Sequence, residues 1–197
     1  MRILHVTDVH CRTGTLRRII EGESYDLVLS SGDFECLDSV ETLLASPARV
    51  MATTGNMDNA SIYRRLLDAG ALLDGRVEEA LGLRIAGIGG MDVHGSLRAV
   101  EEALGLGGVD VLVSHHPPHG VLDTPINGVH AGLFEIRSVL ERFRPKMHLF
   151  GHIHEARGSA SVSGILLVNS GPVAEGSYSI IDLGRGEAVA FLKRLGE

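Results

Sequence analysis

Short polar motifs with metal-ligand chemistry follow the apolar segments of this chain. Each apolar segment is typical of a buried β-strand, and the polar residues come where that strand would end. The five motifs are Asp8-Val9-His10, Gly32-Asp33, Gly55-Asn56, His115-His116-Pro117 and Gly151-His152-Ile153-His154. Because ligands of α/β proteins bind at the carboxyl ends of strands, we expect these scattered residues to converge on one site. Their carboxylate, amide and imidazole donors are sufficient to hold two divalent metal ions.

The individual motifs differ in how strongly they indicate a metal site. Asp-x-His and Gly-Asp are weak signals alone, whereas Gly-His-x-His can direct two imidazoles to neighbouring ions. Asp33 is the candidate bridging ligand, because one carboxylate can offset the charge of two ions, and Asn56 supplies a neutral amide oxygen. The alternative is a set of ordinary polar residues at strand ends, which the types and order of the residues argue against.

Hydrophobic periodicity predicts the elements that position these motifs. Short apolar segments alternate with stretches of helical period up to about residue 150, which predicts a sheet covered by helices. After Gly151 the pattern changes to strand-like segments separated by glycine turns, and we expect a β-meander that forms or extends a second sheet. The predicted fold is an α/β two-sheet β-sandwich flanked by helices, in four α/β/β/α layers, as a single domain over residues 1–197.

Composition limits the classes of partner. A net charge of −7 disfavours sequence-blind binding to nucleic-acid polymers, which depends on phosphate neutralisation. No signal-peptide pattern and no apolar run of membrane-spanning length is found, and the chain has two cysteines. The expectation is a cytoplasmic protein without a membrane partner, in which Cys11 and Cys36 are inert free thiols, with a redox-sensitive pair as the alternative. The oligomeric state stays open.

Other residues have two interpretations. His5 and His148 are expected to be buried core residues, whereas His130 is expected to begin a helix and could approach a substrate. The segment 169–172 is equally well interpreted as a tight turn or as part of the rim of the site. Residues 116–129 form a long segment rich in proline and glycine, and its position directly after a candidate ligand favours a functional loop.

The order of the motifs resembles the calcineurin-like metallophosphoesterase superfamily. Its signature runs Asp-x-His, Gly-Asp, Gly-Asn-His-Asp or -Glu, His-x-Pro and Gly-His-x-His, and the resemblance covers residues 3 to 171. The resemblance implies a two-sheet sandwich and two metal ions that share Asp33. It assigns Asp8, His10 and His154 to one ion. It assigns Asn56, His115 and His152 to the other. The implied reaction is attack on phosphorus by a hydroxide that bridges the ions.

One position departs from that signature. Met57 stands where many members carry a histidine that is thought to protonate the leaving group, and a thioether cannot do so. In this respect the chain resembles a compact, phosphodiesterase-type subset that lacks the histidine. His116 or His119 is the candidate replacement acid, so the predicted catalytic residues are Asp33, Asn56, His116 and His119.

The function expected from these features is hydrolysis of small phosphodiesters by a dinuclear metal centre. Mixed nitrogen and oxygen donors favour manganese, with iron, zinc or nickel as alternatives. The alternative from another class is a non-catalytic scaffold, similar to a retromer subunit that serves as a protein-binding platform. Within the enzymes, a nuclease or a phosphomonoesterase is the alternative.

Overall fold

Apolar strands and amphipathic helices alternate as the hydrophobic pattern predicts. The structure is a computed structural model that describes residues 1–105, 107–184 and 187–196. In these residues the strands are β1 (Arg2–Val6), β2 (Leu27–Ser30), β3 (Arg49–Ala52), β4 (Arg76–Ala80), β5 (Leu83–Ile88), β6 (Val111–Ser114), β7 (Met147–Phe150), β8 (Gly158–Val162), β9 (Ile165–Asn169), β10 (Ser177–Leu183) and β11 (Ala188–Arg194). The helices are α1 (Thr13–Gly22), α2 (Leu37–Leu44), α3 (Ala60–Asp68), α4 (Val93–Leu104) and α5 (Phe134–Phe143).

The strands form two mixed sheets. The first has the order β11-β10-β1-β2-β3, and the second has the order β4-β5-β6-β7-β9-β8. β1, β2 and β3 are parallel to one another, as are β5, β6, β7 and β9, and the remaining strands pair antiparallel. The carboxyl ends of the parallel strands therefore gather at one edge of each sheet.

Three hydrophobic clusters define four layers. Alternate residues such as Leu27 and Leu29 of β2 belong to one hydrophobic cluster with Val111 and Val113 of β6, and this cluster fills the space between the sheets. The opposite face of the first sheet packs on α1, α2 and α3, and that of the second sheet packs on α4 and α5. Both faces of the central strands are buried, which explains their continuous apolar sequence. The predicted two-sheet sandwich flanked by helices is confirmed.

The C-terminal part differs from the predicted meander. β9 joins the second sheet parallel to β7, whereas β10 and β11 extend the first sheet beside β1. The sequence pattern also missed β8, because this edge strand consists largely of small and polar residues and is not fully buried. The tail therefore completes both sheets and does not form a unit of its own.

The start of α5 and the lengths of the helices bear on two expectations from the sequence. The prediction that His130 begins a helix is wrong, because α5 starts at Phe134 and His130 lies in the preceding loop. None of the helices within the described residues is long and apolar enough to cross a membrane.

Candidate metal centre

All seven predicted metal ligands lie just beyond the carboxyl ends of parallel strands. β1 leads to Asp8 and His10, β2 to Asp33 and β3 to Asn56, all in the first sheet. In the second sheet, β6 leads to His115 and β7 leads to His152 and His154. The two sheets meet at this edge, where the His115 imidazole Nδ1 lies 2.7 Å from the Ser31 carbonyl oxygen across the sandwich.

The first group of donors consists of Asp8, His10 and His154. The Nε2 atoms of His10 and His154 lie 3.3 Å apart. The Asp8 Oδ1 atom lies 3.3 Å from His154 Nε2 and 3.9 Å from His10 Nε2. Three ligand atoms from two sheets thus point at a common volume.

The second group is centred on His115, which is fully buried. Its Nε2 atom lies 2.8 Å from Asn56 Oδ1, 3.1 Å from His152 Nδ1 and 3.4 Å from Asp33 Oδ2. Ligand atoms of Asp33 and His115 also cluster with a carboxylate oxygen of Asp8, so the two groups adjoin.

The donor set fits divalent metal ions. Donors bonded to one ion at about 2.0–2.2 Å stand roughly 3.0–3.5 Å apart, which matches most of the separations above. Asp8 Oδ1 is buried and accepts no hydrogen bond within the described residues. Its partner oxygen, Oδ2, accepts hydrogen bonds from the Thr7 hydroxyl and the His152 amide. A buried carboxylate oxygen without a donor is costly, and a cation would satisfy it.

The ionisation of most of these groups favours metal binding at neutral pH, whereas the contact with Asp8 raises the pKa of His154. Burial lowers the pKa of His115 and lowers that of His152 to about 4, so both imidazoles are neutral and can offer a lone pair. Burial raises the pKa of Asp8, but the neighbouring imidazoles of His154 and His115 and the hydrogen bond from the Thr7 hydroxyl together outweigh burial and leave the value at about 2. Burial raises the pKa of Asp33 to about 6. The protein alone therefore compensates the negative charge of this carboxylate poorly.

The loops that carry the ligands adopt left-handed backbone conformations. Asp8, His10, Asp33 and His152 have φ values of 53°, 45°, 57° and 70°. Such conformations are unfavourable for residues other than glycine and cluster at functional sites, where surrounding contacts hold them. Gly55 has a different role, because a Cβ atom there would collide with the Asp33 carboxylate. The sharp turns therefore direct the side chains over the sheet edge.

Asp58 is a supporting residue to which sequence reasoning assigned no role. Its Oδ1 atom accepts hydrogen bonds from the amides of Phe34 and Glu35, at 2.7 and 2.8 Å. Its Oδ2 atom accepts hydrogen bonds from the amides of Asp33 and Gly55, at 3.1 and 2.8 Å. One buried carboxylate thus ties the loop after β2 to the loop after β3. The sequence feature that could have pointed to Asp58 is its position two residues after Asn56 in the third motif.

Glu35 is a second supporting residue that sequence reasoning missed. Its Oε1 atom lies 2.9 Å from His10 Nδ1. This contact leaves Nε2 of His10 free to face the site and fixes the orientation of the ring, as carboxylates commonly do for metal-binding histidines.

The two candidate replacement acids lie in different surroundings. The His116 ring packs against the ring of His152 at a centroid distance of 4.5 Å, so it borders the second donor group. His119 instead stacks on Phe134 at 3.8 Å, with its Nδ1 atom 3.9 Å from the Asp123 carboxylate. Met57 is 57% exposed, and its amide donates a hydrogen bond to Asp33 Oδ1.

The prediction of two inert free thiols is wrong. Cys11 and Cys36 form a disulfide with their Cα atoms 5.4 Å apart. Each cysteine directly follows a residue of the His10–Glu35 pair, so the disulfide ties together the two loops that carry this pair. The cysteines therefore no longer argue for a reducing compartment, and the cytoplasmic location stays a prediction.

Two buried histidines and the turn after β9 belong to the structure next to the site. His5 and His148 are fully buried, as predicted. Asn169 is also fully buried, and its side chain donates a hydrogen bond to the Ile153 carbonyl and accepts one from the Gly171 amide. The turn thus holds the loop that carries His152 and His154.

Comparison with known proteins identifies the family. The sequence profile of the calcineurin-like phosphoesterase superfamily domain matches residues 1–184. The chain belongs to this superfamily. Its recognised members are generally metal-dependent hydrolases of phosphoric esters, and the Asp and His groups described above are those that could bind the metal.

Curated relatives match only a short segment. A UPF0046 protein of Caenorhabditis elegans is 52% identical over 52 residues, which are 26% of this chain and 13% of the relative. The human metallophosphoesterase domain-containing protein 1 is 45% identical over 53 residues, which are 26% of this chain and 16% of that protein. The aligned part is thus a small fraction of these curated relatives.

Three solved structures share the fold over nearly the whole chain. TT1561 of Thermus thermophilus has a TM-score of 0.73 at 16% identity, covering 96% of this chain and 97% of its own. A novel archaeal phosphodiesterase has a TM-score of 0.64 at 18% identity, covering 98% and 100%. Vps29 of Entamoeba histolytica, solved with zinc, has a TM-score of 0.59 at 13% identity, covering 100% and 94%. At these identities the likeness establishes the fold alone.

Proposed function

We propose that this chain is a phosphoesterase that requires two divalent metal ions and hydrolyses small phosphodiesters. The observation that carries the proposal is the convergence of seven donor side chains, from five strand ends in two sheets, on one edge of the sandwich. Among the described residues, none donates a hydrogen bond to the buried Asp8 Oδ1 atom at the centre of this set, and a bound cation would satisfy this oxygen.

The residues divide into two ligand sets. In our proposal Asp8, His10 and His154 hold one ion, and Asn56, His115 and His152 hold the other. Asp33 lies between the sets and would contact both ions. When bound, the ions lower the pKa of a water nucleophile and neutralise charge on the phosphoryl oxygens. Manganese suits the mixed donors, and iron, zinc and nickel are alternatives.

The acid–base groups near the site bear on the substrate class. Met57 has no proton to give, and burial lowers the pKa of His116 to about 3, so this imidazole is neutral at pH 7. Neither Met57 nor His116 is an effective general acid at pH 7, so neither would assist the departure of an alkoxide of high pKa. We infer that the preferred esters release an alcohol of low pKa, such as a phenol. The archaeal phosphodiesterase with the same fold is consistent with a diester.

Hydrolysis assays test the proposal directly. Metal-stripped protein is assayed on bis(p-nitrophenyl) phosphate and p-nitrophenyl phosphate, with and without manganese, beside Asp33→Ala. Asp68→Ala on the exposed surface of α3 is the matched control. Manganese-dependent cleavage of the diester, abolished by Asp33→Ala alone, is the expected result.

Each other outcome has a defined meaning. Preference for the monoester would retain the metal centre and overturn the substrate class. No turnover with manganese, iron, zinc or nickel by protein that is folded and binds metal would overturn the enzymatic proposal. It would favour the scaffold alternative, and restoration of the family histidine by Met57→His would then be the next experiment.

A further inference from the structure

A cavity lies next to the loop that carries Asn56. This α3–α4 cleft has a volume of about 670 Å³ and is lined by Tyr63 of α3, Asp74 and Arg76 at the start of β4, and Met91 and Asp92 before α4. A volume of this size is typical of sites for small organic ligands. None of the predicted metal ligands lines the cleft.

The cleft is continuous with the loop that carries Asn56. The Gly90 amide donates a hydrogen bond to the Thr54 carbonyl at 2.6 Å, and a Cβ atom on Gly90 would lie 2.8 Å from the Asn56 nitrogen. Asp74 accepts hydrogen bonds from both the amide and the hydroxyl of Thr54. The segment that leads to Met91 therefore packs directly on the loop that carries Asn56, so the cleft adjoins a ligand loop of the candidate metal centre.

The lining of the cleft favours a flat apolar group. Tyr63 and Met91 are 36% and 41% exposed, and they offer a phenol ring and a thioether from two different elements. Both side chains pack well against aromatic rings. The two carboxylates, Asp74 and Asp92, outnumber the single guanidinium of Arg76, which disfavours a second phosphate.

We propose that the α3–α4 cleft binds an uncharged aromatic ring carried by one ester group of the substrate, while the other ester group leaves at the metal centre. This inference rests on the proposed phosphodiesterase function. It makes Tyr63 and Met91 specificity-determining residues, and it predicts that diesters with an aromatic non-leaving group are preferred over those with a small alkyl group.

A pair of substrates with the same leaving group isolates this contribution. Phenyl p-nitrophenyl phosphate and methyl p-nitrophenyl phosphate both release p-nitrophenolate, so the ratio of their KM values reports binding of the other ester group. Loss of a ring-to-ring contact in Tyr63→Ala should shift this ratio against the phenyl ester by about 5- to 10-fold. Tyr63→Phe retains the ring and should restore the wild-type ratio.

Phe191→Ala is the matched control for removal of a half-exposed aromatic ring. Phe191 lies on β11, at the edge of the first sheet opposite β3. Its replacement by alanine should leave the ratio of the two KM values unchanged. A ratio in Tyr63→Ala within twofold of the wild type would overturn the inference. An equal loss in Tyr63→Phe would do the same, because the ring would then not be the group that matters.

Binding of hydrolysis-resistant ligands separates this inference from the proposed function. Phenylphosphonate should bind the manganese-loaded protein more tightly than methylphosphonate by calorimetry, and Tyr63→Ala should remove the difference. If the wild type hydrolyses neither ester, the proposed function fails and the phosphonate comparison alone decides about the cleft. Equal affinity of the two phosphonates for the wild type would overturn the inference.

Discussion

Replacement of Asp58 by asparagine should destabilise the loops that carry the metal ligands. Asp58 is 8% exposed, and its carboxylate accepts four backbone hydrogen bonds, two on each oxygen. In Asp58→Asn the remaining oxygen keeps two donors, but the new amide group faces the other two and cannot accept from them. Two buried N–H groups without an acceptor cost about 1–2 kcal/mol each. We therefore expect a loss of about 2–4 kcal/mol in the free energy of unfolding.

Guanidinium denaturation in the presence of a chelator measures this loss without a contribution from bound metal. The same loss should lower Tm by roughly 5–15 °C for a chain of this size. Asp68→Asn on the exposed face of α3 is the control, and a surface change of this kind is expected to stay within about 0.5 kcal/mol. A loss below about 0.5 kcal/mol in Asp58→Asn would refute the reasoning, because the two loops would then be held by other contacts.

Three further perturbations probe the pH dependence, the disulfide and the metal ligands. Burial raises the pKa of Asp74 from 3.8 to about 6, so the native state binds an extra proton between these values, and the contribution of this group to stability falls as pH rises through them, by up to about 3 kcal/mol. Asp74→Asn resembles the protonated acid and should remove this loss when unfolding is measured at pH 4.5 and 7.5. An unchanged pH profile in the variant would contradict the assignment. Reduction of Cys11–Cys36, which are 25 residues apart, should cost about 3.5 kcal/mol of stability in denaturation with and without a dithiol, and the double variant to serine should no longer respond to the dithiol. Glu35→Gln should weaken manganese binding about 10- to 100-fold by calorimetry, because His10 loses its charged partner, and an unchanged affinity would argue against that role.

The sequence predicted the fold well where the hydrophobic pattern reflects local structure. Strands buried on both faces and helices with an apolar stripe were recognisable, because burial in these layers demands apolar residues at the observed spacing. β8 was missed because this edge strand is only partly buried and does not require apolar residues at a regular spacing. His130 was assigned to a helix because the apolar stripe of α5 does not mark where the helix begins, and no side-chain cap precedes it.

In the candidate site, too, features set by local sequence were predictable and features set by long-range contacts were not. The types of the residues and their order predicted which side chains could bind metal. Carboxylate and imidazole groups are metal ligands by their chemistry, and their positions after strand ends could be recognised in the sequence. The supporting contacts were not predictable, because they join residues far apart in the chain. Asp58 meets backbone amides about 24 residues away, and Cys11 pairs with Cys36 across two loops.

The sequence by itself determined the layers of this protein, its superfamily and the set of donor side chains, because each follows from local pattern and residue chemistry. Only the tertiary structure decided that the C-terminal strands divide between two sheets, that the cysteines are paired, and that the α3–α4 cleft adjoins the Asn56 loop. These features depend on contacts between segments that are far apart in the chain. The pattern of residues within one segment does not show which other segment it will pack against.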